Sequence, residues 1–230
     1  MTPHNPTEGV DMFEKALTEN REAIYAILSS SPPGPNAITP SLGTAFMAAP
    51  GLLVTSARCL RDESRPGAPP HEGLRVIRAL DIGKEPEPVT VLAANAVKDL
   101  ALLRIAAPRS KACLRLLDAP VPVGTHCGTA GFPRVTVDRL PSSQVSLIEL
   151  FQGADISSFV NATGTDGHTD TRYETDSPLY GDPSGSPGFL PSGEVFGMCH
   201  LPGGLAPAGV TFWIPSMTIL AFLKAKSITP

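Results

Sequence analysis

Ser184 lies in the run Tyr180-Gly181-Asp182-Pro183-Ser184-Gly185-Ser186-Pro187-Gly188. Glycines in such a run accept positive φ and close backbone approach, while Pro187 fixes its own φ and blocks a helix, so the serine projects from a rigid tight bend. A serine held that way is a candidate nucleophile. Its hydroxyl needs a base within hydrogen-bond reach to take the proton as it attacks, and the base needs a third group to orient it. Histidine suits that transfer near neutral pH. His200 lies in the apolar stretch after the turn, and His71 in a Pro-rich loop far before it. His126 reads as a strand residue and His168 as a hairpin-tip residue. No His/Asp/Glu spacing points to a metal, and Cys59, Cys113, Cys127 and Cys199 contain no C-x-x-C pair. The chemistry expected of this chain therefore needs no metal and no cofactor.

The elements that must carry these residues read as short strands. The chain has 230 residues, 17% of them charged, and a net charge of -4, which offers no basic surface to a nucleic-acid backbone. Its 25 prolines and 21 glycines punctuate apolar runs instead of forming a tract. No signal peptide is legible in Met1–Val10, and no apolar run approaches the roughly 18 residues of a membrane span. Val10, Phe13 and Leu17 behind Thr7 predict a short amphipathic helix ending near Asn20. Ala23 to Leu28 reads as a strand, and Gly43 to Thr55 as two strands folded back at Pro50-Gly51, the central pair of a type II turn. After an exposed Pro-rich loop from Arg61 to Gly73, alternation marks strands at Leu74 to Leu80, Pro88 to Ala94 and Leu100 to Ile105. Further strands are expected at Gln144 to Phe151, Ile156 to Ala162, Arg172 to Thr175, Glu194 to His200 and Gly209 to Pro215. A terminal helix follows from Ser216 to Lys226, with Lys224 and Lys226 at its negative end.

The serine turn and its flanks, Thr175-Asp176-Ser177-Pro178-Leu179 before it and Phe189 to Met198 after it, resemble without a gap the T-D-A-P-x-N-P-G-N-S-G-G-P-L-F-N-x-x-G-E-V-x-G segment of trypsin-fold serine proteases, most closely the HtrA branch. Further blocks follow in the family's order. Gly43 to Leu60 resembles its G-T-G-F hairpin ending in L-T-N-A-H. Lys98 to Ile105 resembles D-L-A-L-L-K-V, Val123 to Pro133 resembles V-G-x-x-V-x-A-I-G-Y-P, and Gly209 to Pro215 resembles G-x-x-F-A-I-P. The resemblance implies an all-β fold of two six-stranded antiparallel barrels with a short helix at each end. Its expected parts are a helical lead-in over 1–22, a first barrel over 23–108, a connection over 109–122, a second barrel over 123–215 and the C-terminal helix over 216–230.

On that register Ser184 occupies the nucleophile position and Asp99 the position of the acid that orients the catalytic histidine. Arg58 stands where the histidine itself belongs. A guanidinium stays protonated below a pKa of about 12 and offers only donors, so it holds an anion but accepts no proton. The oxyanion side departs too. The glycine that donates an N–H two residues before the serine is replaced by Asp182, which Pro183 pushes towards extended backbone and whose charge opposes a developing oxyanion. Gly185 completes that cleft, and Pro178, Leu179, Cys199 and His200 fall on the primary pocket. Two readings follow. One is a pseudoprotease whose inter-barrel cleft binds a peptide or protein partner, with Arg58 paired to Asp99. The other is an active serine endopeptidase that uses Ser184 with a displaced base, His200 or His71. In secreted relatives the cysteine after the catalytic histidine is paired, whereas Gly43 to Met47 gives Cys59 no partner. Reduced thiols and a cytoplasmic address are therefore expected, with no nucleic-acid or membrane partner.

Overall fold

The computed structural model describes residues 6–28, 41–61, 71, 73–133, 149–163, 169–178, 183–200 and 209–228. Strands β1 (Ile24–Leu28), β2 (Ser41–Ala49), β3 (Leu52–Thr55), β4 (Arg75–Arg78), β5 (Glu87–Asn95) and β6 (Leu100–Ile105) close a barrel in the order β1-β2-β3-β6-β5-β4. Strands β7 (His126–Gly131), β8 (Leu150–Thr163), β9 (Thr169–Thr175), β10 (Pro187–Phe189), β11 (Val195–His200) and β12 (Thr211–Pro215) close a second, in the order β10-β11-β12-β9-β8-β7. All pairings within the two barrels are antiparallel. Helix α1 (Pro6–Asn20) precedes the first barrel and α2 (Ser216–Lys224) follows the second. The all-β, two-barrel architecture expected from the sequence is the one observed.

β1 reads Ile-Tyr-Ala-Ile-Leu without alternation because it is buried throughout, between β2 and β4. The first core collects Ile24, Ile27, Phe46, Met47, Leu53 and Leu103. The second is aromatic: Phe196 lies 5.8 Å from Tyr173 and 5.2 Å from Trp213, ring centre to ring centre. Both polar tips in this core find partners, as buried tyrosine and tryptophan require. The Tyr173 hydroxyl accepts the Val121 N–H at 2.9 Å, and Trp213 Nε1 donates to Thr175 Oγ1 at 3.0 Å.

Several elements differ from the sequence expectation, and three of the differences have a plain physical reason. Leu150 to Thr163 is one continuous strand where two were expected, and residues 144–148 lie outside the described residues. Gly153 and Ala154 read as a break, but they stay in register with Gly128 and Cys127 of β7. The space above Gly128 is taken by the Phe13 ring of α1, only 3.2 Å from where a Cβ would stand, so that glycine is a helix-docking feature. β4 stops at Arg78 because Ala79–Asp81 forms a 3-10 turn, in which Asp81 accepts hydrogen bonds from Arg78 Nε at 2.9 Å and Lys84 Nζ at 2.7 Å. α2 ends at Lys224, two residues early, where Ser227 turns left-handed and Ile228 N–H closes onto Leu223 C=O at 3.1 Å. No helix among the described residues is long and apolar enough to cross a membrane.

Candidate active site

The barrels meet where β2, β3 and the 3-10 turn Ala57–Leu60 face the serine turn. Ser184 C=O accepts the Thr44 N–H at 3.0 Å and the Cys59 thiol at 3.4 Å, both from the first barrel. Gly185 has φ 86°, and a Cβ there would lie 2.0 Å from Thr44 O, so a glycine is required for the turn to close on β2. On the other side Gly185 N–H donates to Cys199 O at 3.0 Å and Cys199 N–H to Ser186 O at 2.8 Å, which ties the turn to β11. Ser186, which stands where the family has its second glycine, donates from Oγ to Thr44 Oγ1 at 2.9 Å, and the same Thr44 oxygen accepts the Phe132 N–H at 2.8 Å. This hydroxyl network joins the two barrels directly beneath Ser184, which is 1% exposed.

Asp99 opens β6 and is buried, with φ 49°, a left-handed conformation that aspartate tolerates better than most side chains. Its carboxylate collects donors from both barrels. Oδ2 accepts the Ser56 hydroxyl at 2.6 Å and His200 Nδ1 at 2.7 Å, while Oδ1 accepts the Arg58 backbone N–H at 3.0 Å. The Asp99 carbonyl in turn accepts the Ala57 N–H at 3.2 Å. The side-chain pair expected between Arg58 and Asp99 does not form: among the described residues the side chains bonded to the Asp99 carboxylate are Ser56 and His200. The reason lies in strand alternation. Cys199 points into the second core with Tyr173, Phe196 and Trp213, so the next residue of β11, His200, faces the other way and reaches the carboxylate.

Cys199, expected on the primary pocket, is buried in that core. Pro178 is exposed, and its carbonyl accepts Gln152 Nε2 at 2.8 Å. Leu179 and Asp182 lie outside the described residues, and Pro183 is buried at the base of the turn, its carbonyl accepting the Ser186 N–H at 2.9 Å. His71 is held through its backbone N–H to Leu60 O at 2.7 Å, and no hydrogen bond links its ring to Asp99 or Ser184. Nor does any hydrogen bond among the described residues link His200 to Ser184. The structure therefore brings Ser56, Arg58, Asp99 and His200 together through one carboxylate, with Ser184 packed beside the same turn. Sequence reasoning does not find Ser56, since a lone serine at the end of a strand carries no signal until the carboxylate it meets is placed.

A separate groove of about 450 Å³ runs between α1 and β7–β8, lined by Phe13, His126, Cys127, Asp155 and Asp176. None of the residues around Asp99 reaches it. Burial, with Asp155 and Asp176 nearby, pushes the Cys127 thiol up to about 12, so it is inert near neutral pH. Among the described residues no group of three or more His, Cys, Asp or Glu side chains is placed to hold a metal.

Comparison with known proteins agrees with this fold. Residues 43–198 match the model of the trypsin-like peptidase domain, a span that includes Arg58, Asp99 and Ser184. No curated protein matches the sequence. Among solved structures, the active form of the Rv3671c protease from M. tuberculosis aligns with a TM-score of 0.71 at 17% identity, over 98% of this chain and 88% of that one. A serine-to-alanine mutant of Rv3671c from M. tuberculosis H37Rv in its inactive form aligns at 0.70 and 16% identity, over 100% and 98%. The inactive form of the Rv3671c protease aligns at 0.68 and 17% identity, over 96% and 95%. These likenesses speak for the fold, and with the family match they place the chain in the trypsin-like peptidase family.

Proposed function

We propose that this chain is a trypsin-like protease homologue that holds a peptide or protein segment in the cleft between its barrels without hydrolysing it. The observation that carries this reading is where the Asp99 hydrogen bonds go: to Ser56, to the Arg58 amide and to His200, with no bond passing on from His200 to Ser184. Acyl transfer requires the serine proton to leave as the hydroxyl attacks, and the Arg58 guanidinium at the base's sequence position only donates. Ser184 is buried beside the contact between the barrels. Asp182 adds a carboxylate where the family places an oxyanion donor. Loss of the base alone leaves roughly a thousandth to a millionth of normal turnover in such enzymes. The cytoplasmic compartment belongs to the same proposal, supported by Cys59, Cys113, Cys127 and Cys199 all being free thiols.

The 2.7 Å contact between His200 and Asp99 favours a second reading. Facing a carboxylate, Nδ1 carries the ring proton and leaves Nε2 as acceptor, the tautomer a general base needs. In that reading the base comes from the second barrel, and the ring must turn towards Ser184 to act. A fluorophosphonate probe separates the two. On the first reading wild type, Ser184→Ala and His200→Ala are all unlabelled, and Arg58→His with Asp182→Gly restores labelling and casein cleavage. Labelling of wild type that both Ser184→Ala and His200→Ala abolish would replace the first reading with the second.

A further inference from the structure

Two oxygens of the first barrel are buried without a hydrogen-bond partner among the described residues: the Tyr25 hydroxyl and Glu87 Oε2. Tyr25 is fully buried and Glu87 is 6% exposed. The strand pairing sets them on one face. Tyr25 of β1 stands opposite Arg78 of β4, and Glu87 of β5 stands opposite Val76, two residues back along the same strand, so both side chains rise on one side of the sheet across β4. Burial first, and then the charge of Glu87, push the Tyr25 phenol well above its ordinary value, which puts the carboxylate near the hydroxyl. The inter-barrel connection reaches the same place, since Arg109 N–H donates to the other carboxylate oxygen, Glu87 Oε1, at 3.2 Å. The cations nearby are committed elsewhere. Arg78 bonds Asp81 and faces Glu22, Arg75 pairs with Glu85, and the Arg109 guanidinium donates to Glu85 O at 2.7 Å.

We propose that one structural water is bound between Tyr25 Oη and Glu87 Oε2, accepting the phenol proton and donating to the carboxylate. Leaving either oxygen bare carries its full desolvation penalty, which folded chains rarely bear. A carboxylate only accepts, whereas a phenol donates as well, so one molecule that accepts on one side and donates on the other serves both. Water does this, and buried waters typically make about three such bonds. A direct phenol–carboxylate bond would also serve, but it is not formed. A metal ion is the poorer occupant, because Glu87 is not grouped with two further His, Cys, Asp or Glu side chains among the described residues. Glu87 then holds the inter-barrel connection with Oε1 and β1 with Oε2, which fixes where that connection leaves the first barrel. The site shares no residue with the one around Ser184 and does not depend on how that serine is read.

A high-resolution crystal structure of the full chain tests this, and an electron-density peak is expected about 2.5–3.0 Å from both oxygens. Magnetic relaxation dispersion of the solvent counts long-lived waters in solution, and the double variant Tyr25→Phe with Glu87→Met should hold one fewer than wild type. Tyr25→Phe alone should lower the melting temperature by about 2–4 °C, and should lower it far less in a Glu87→Met background, where the bridge is already gone. A peak that turns anomalous when the buffer cation is exchanged for rubidium is an ion, and overturns the proposal. So does a direct Tyr25–Glu87 hydrogen bond with no peak between them, or a water count that the double variant leaves unchanged. If the double variant fails to fold, the wild-type density decides alone.

Discussion

Asp81 and Asp99 are both buried acids of the first barrel, but they lie in successive connections of an antiparallel meander and therefore at opposite ends of it. Asp81 is served locally. Its two cations, Arg78 and Lys84, stand three residues away on either side, and their hydrogen bonds hold its carboxyl down at about 2. Asp99 has no such neighbours in sequence. Its donors come from a strand end, a 3-10 turn and the far barrel, and only one of them, His200, is a side chain of the second barrel. A carboxylate satisfied by adjacent residues anchors one turn, whereas one satisfied across an interface makes two barrels answer to the same atom.

The contrast yields a graded set of expectations. Asp99→Ala leaves the Ser56 hydroxyl, the Arg58 amide and His200 without their common acceptor, and should cost about 3 kcal/mol in urea unfolding. Asp81→Asn should cost less, about 1–2 kcal/mol, because Lys84 is largely solvated and Arg78 retains Glu22 at 3.7 Å. The sign of its pH dependence follows from the lowered carboxyl. The Asp81 contribution is complete above its ordinary value of 3.8 and disappears as pH falls from there towards 2, so Asp81→Asn should flatten that acid limb. An equal loss for the two variants would remove the distinction between local and interface acids. Ser56→Ala, which deletes one of three donors, should cost about 1 kcal/mol, read from the same unfolding curves.

The smallest expected effect concerns Gly43. A Cβ there would stand 3.5 Å from Cys59 Cβ, at the short edge of disulfide geometry, but 2.8 Å from Ser184 O and on a backbone with φ 137°. Gly43→Cys should therefore form the bond, leaving one reactive thiol fewer than wild type under denaturing conditions. The strain should cancel most of the usual gain, so the melting temperature should change little.

Most of the fold was legible because its signals are local: Pro50-Gly51 announces a hairpin, the Ile24–Leu28 run a buried strand, and Ser184 between glycines a tight turn. The failures have one cause. The gap left between Phe151 and Ile156 looks like a break until β7 is seen paired beside Gly153. The candidate site divides the same way. Ser184, Asp99 and Arg58 are set by register, but the choice of His200 over Arg58 as the partner of Asp99 depends on which face of β11 looks across the barrel interface, and composition carries no trace of that.

The hydroxyl network beneath Ser184 bears on how the molecule opens. Thr44 serves Ser186, Phe132, Thr55 and the serine turn at once, with every bond inside the contact between barrels. The amide protons of Thr44 and Phe132 should then exchange with solvent at one common rate, set by separation of the two halves and not by fraying of any strand. Whatever enters or leaves this cleft does so against that single clasp.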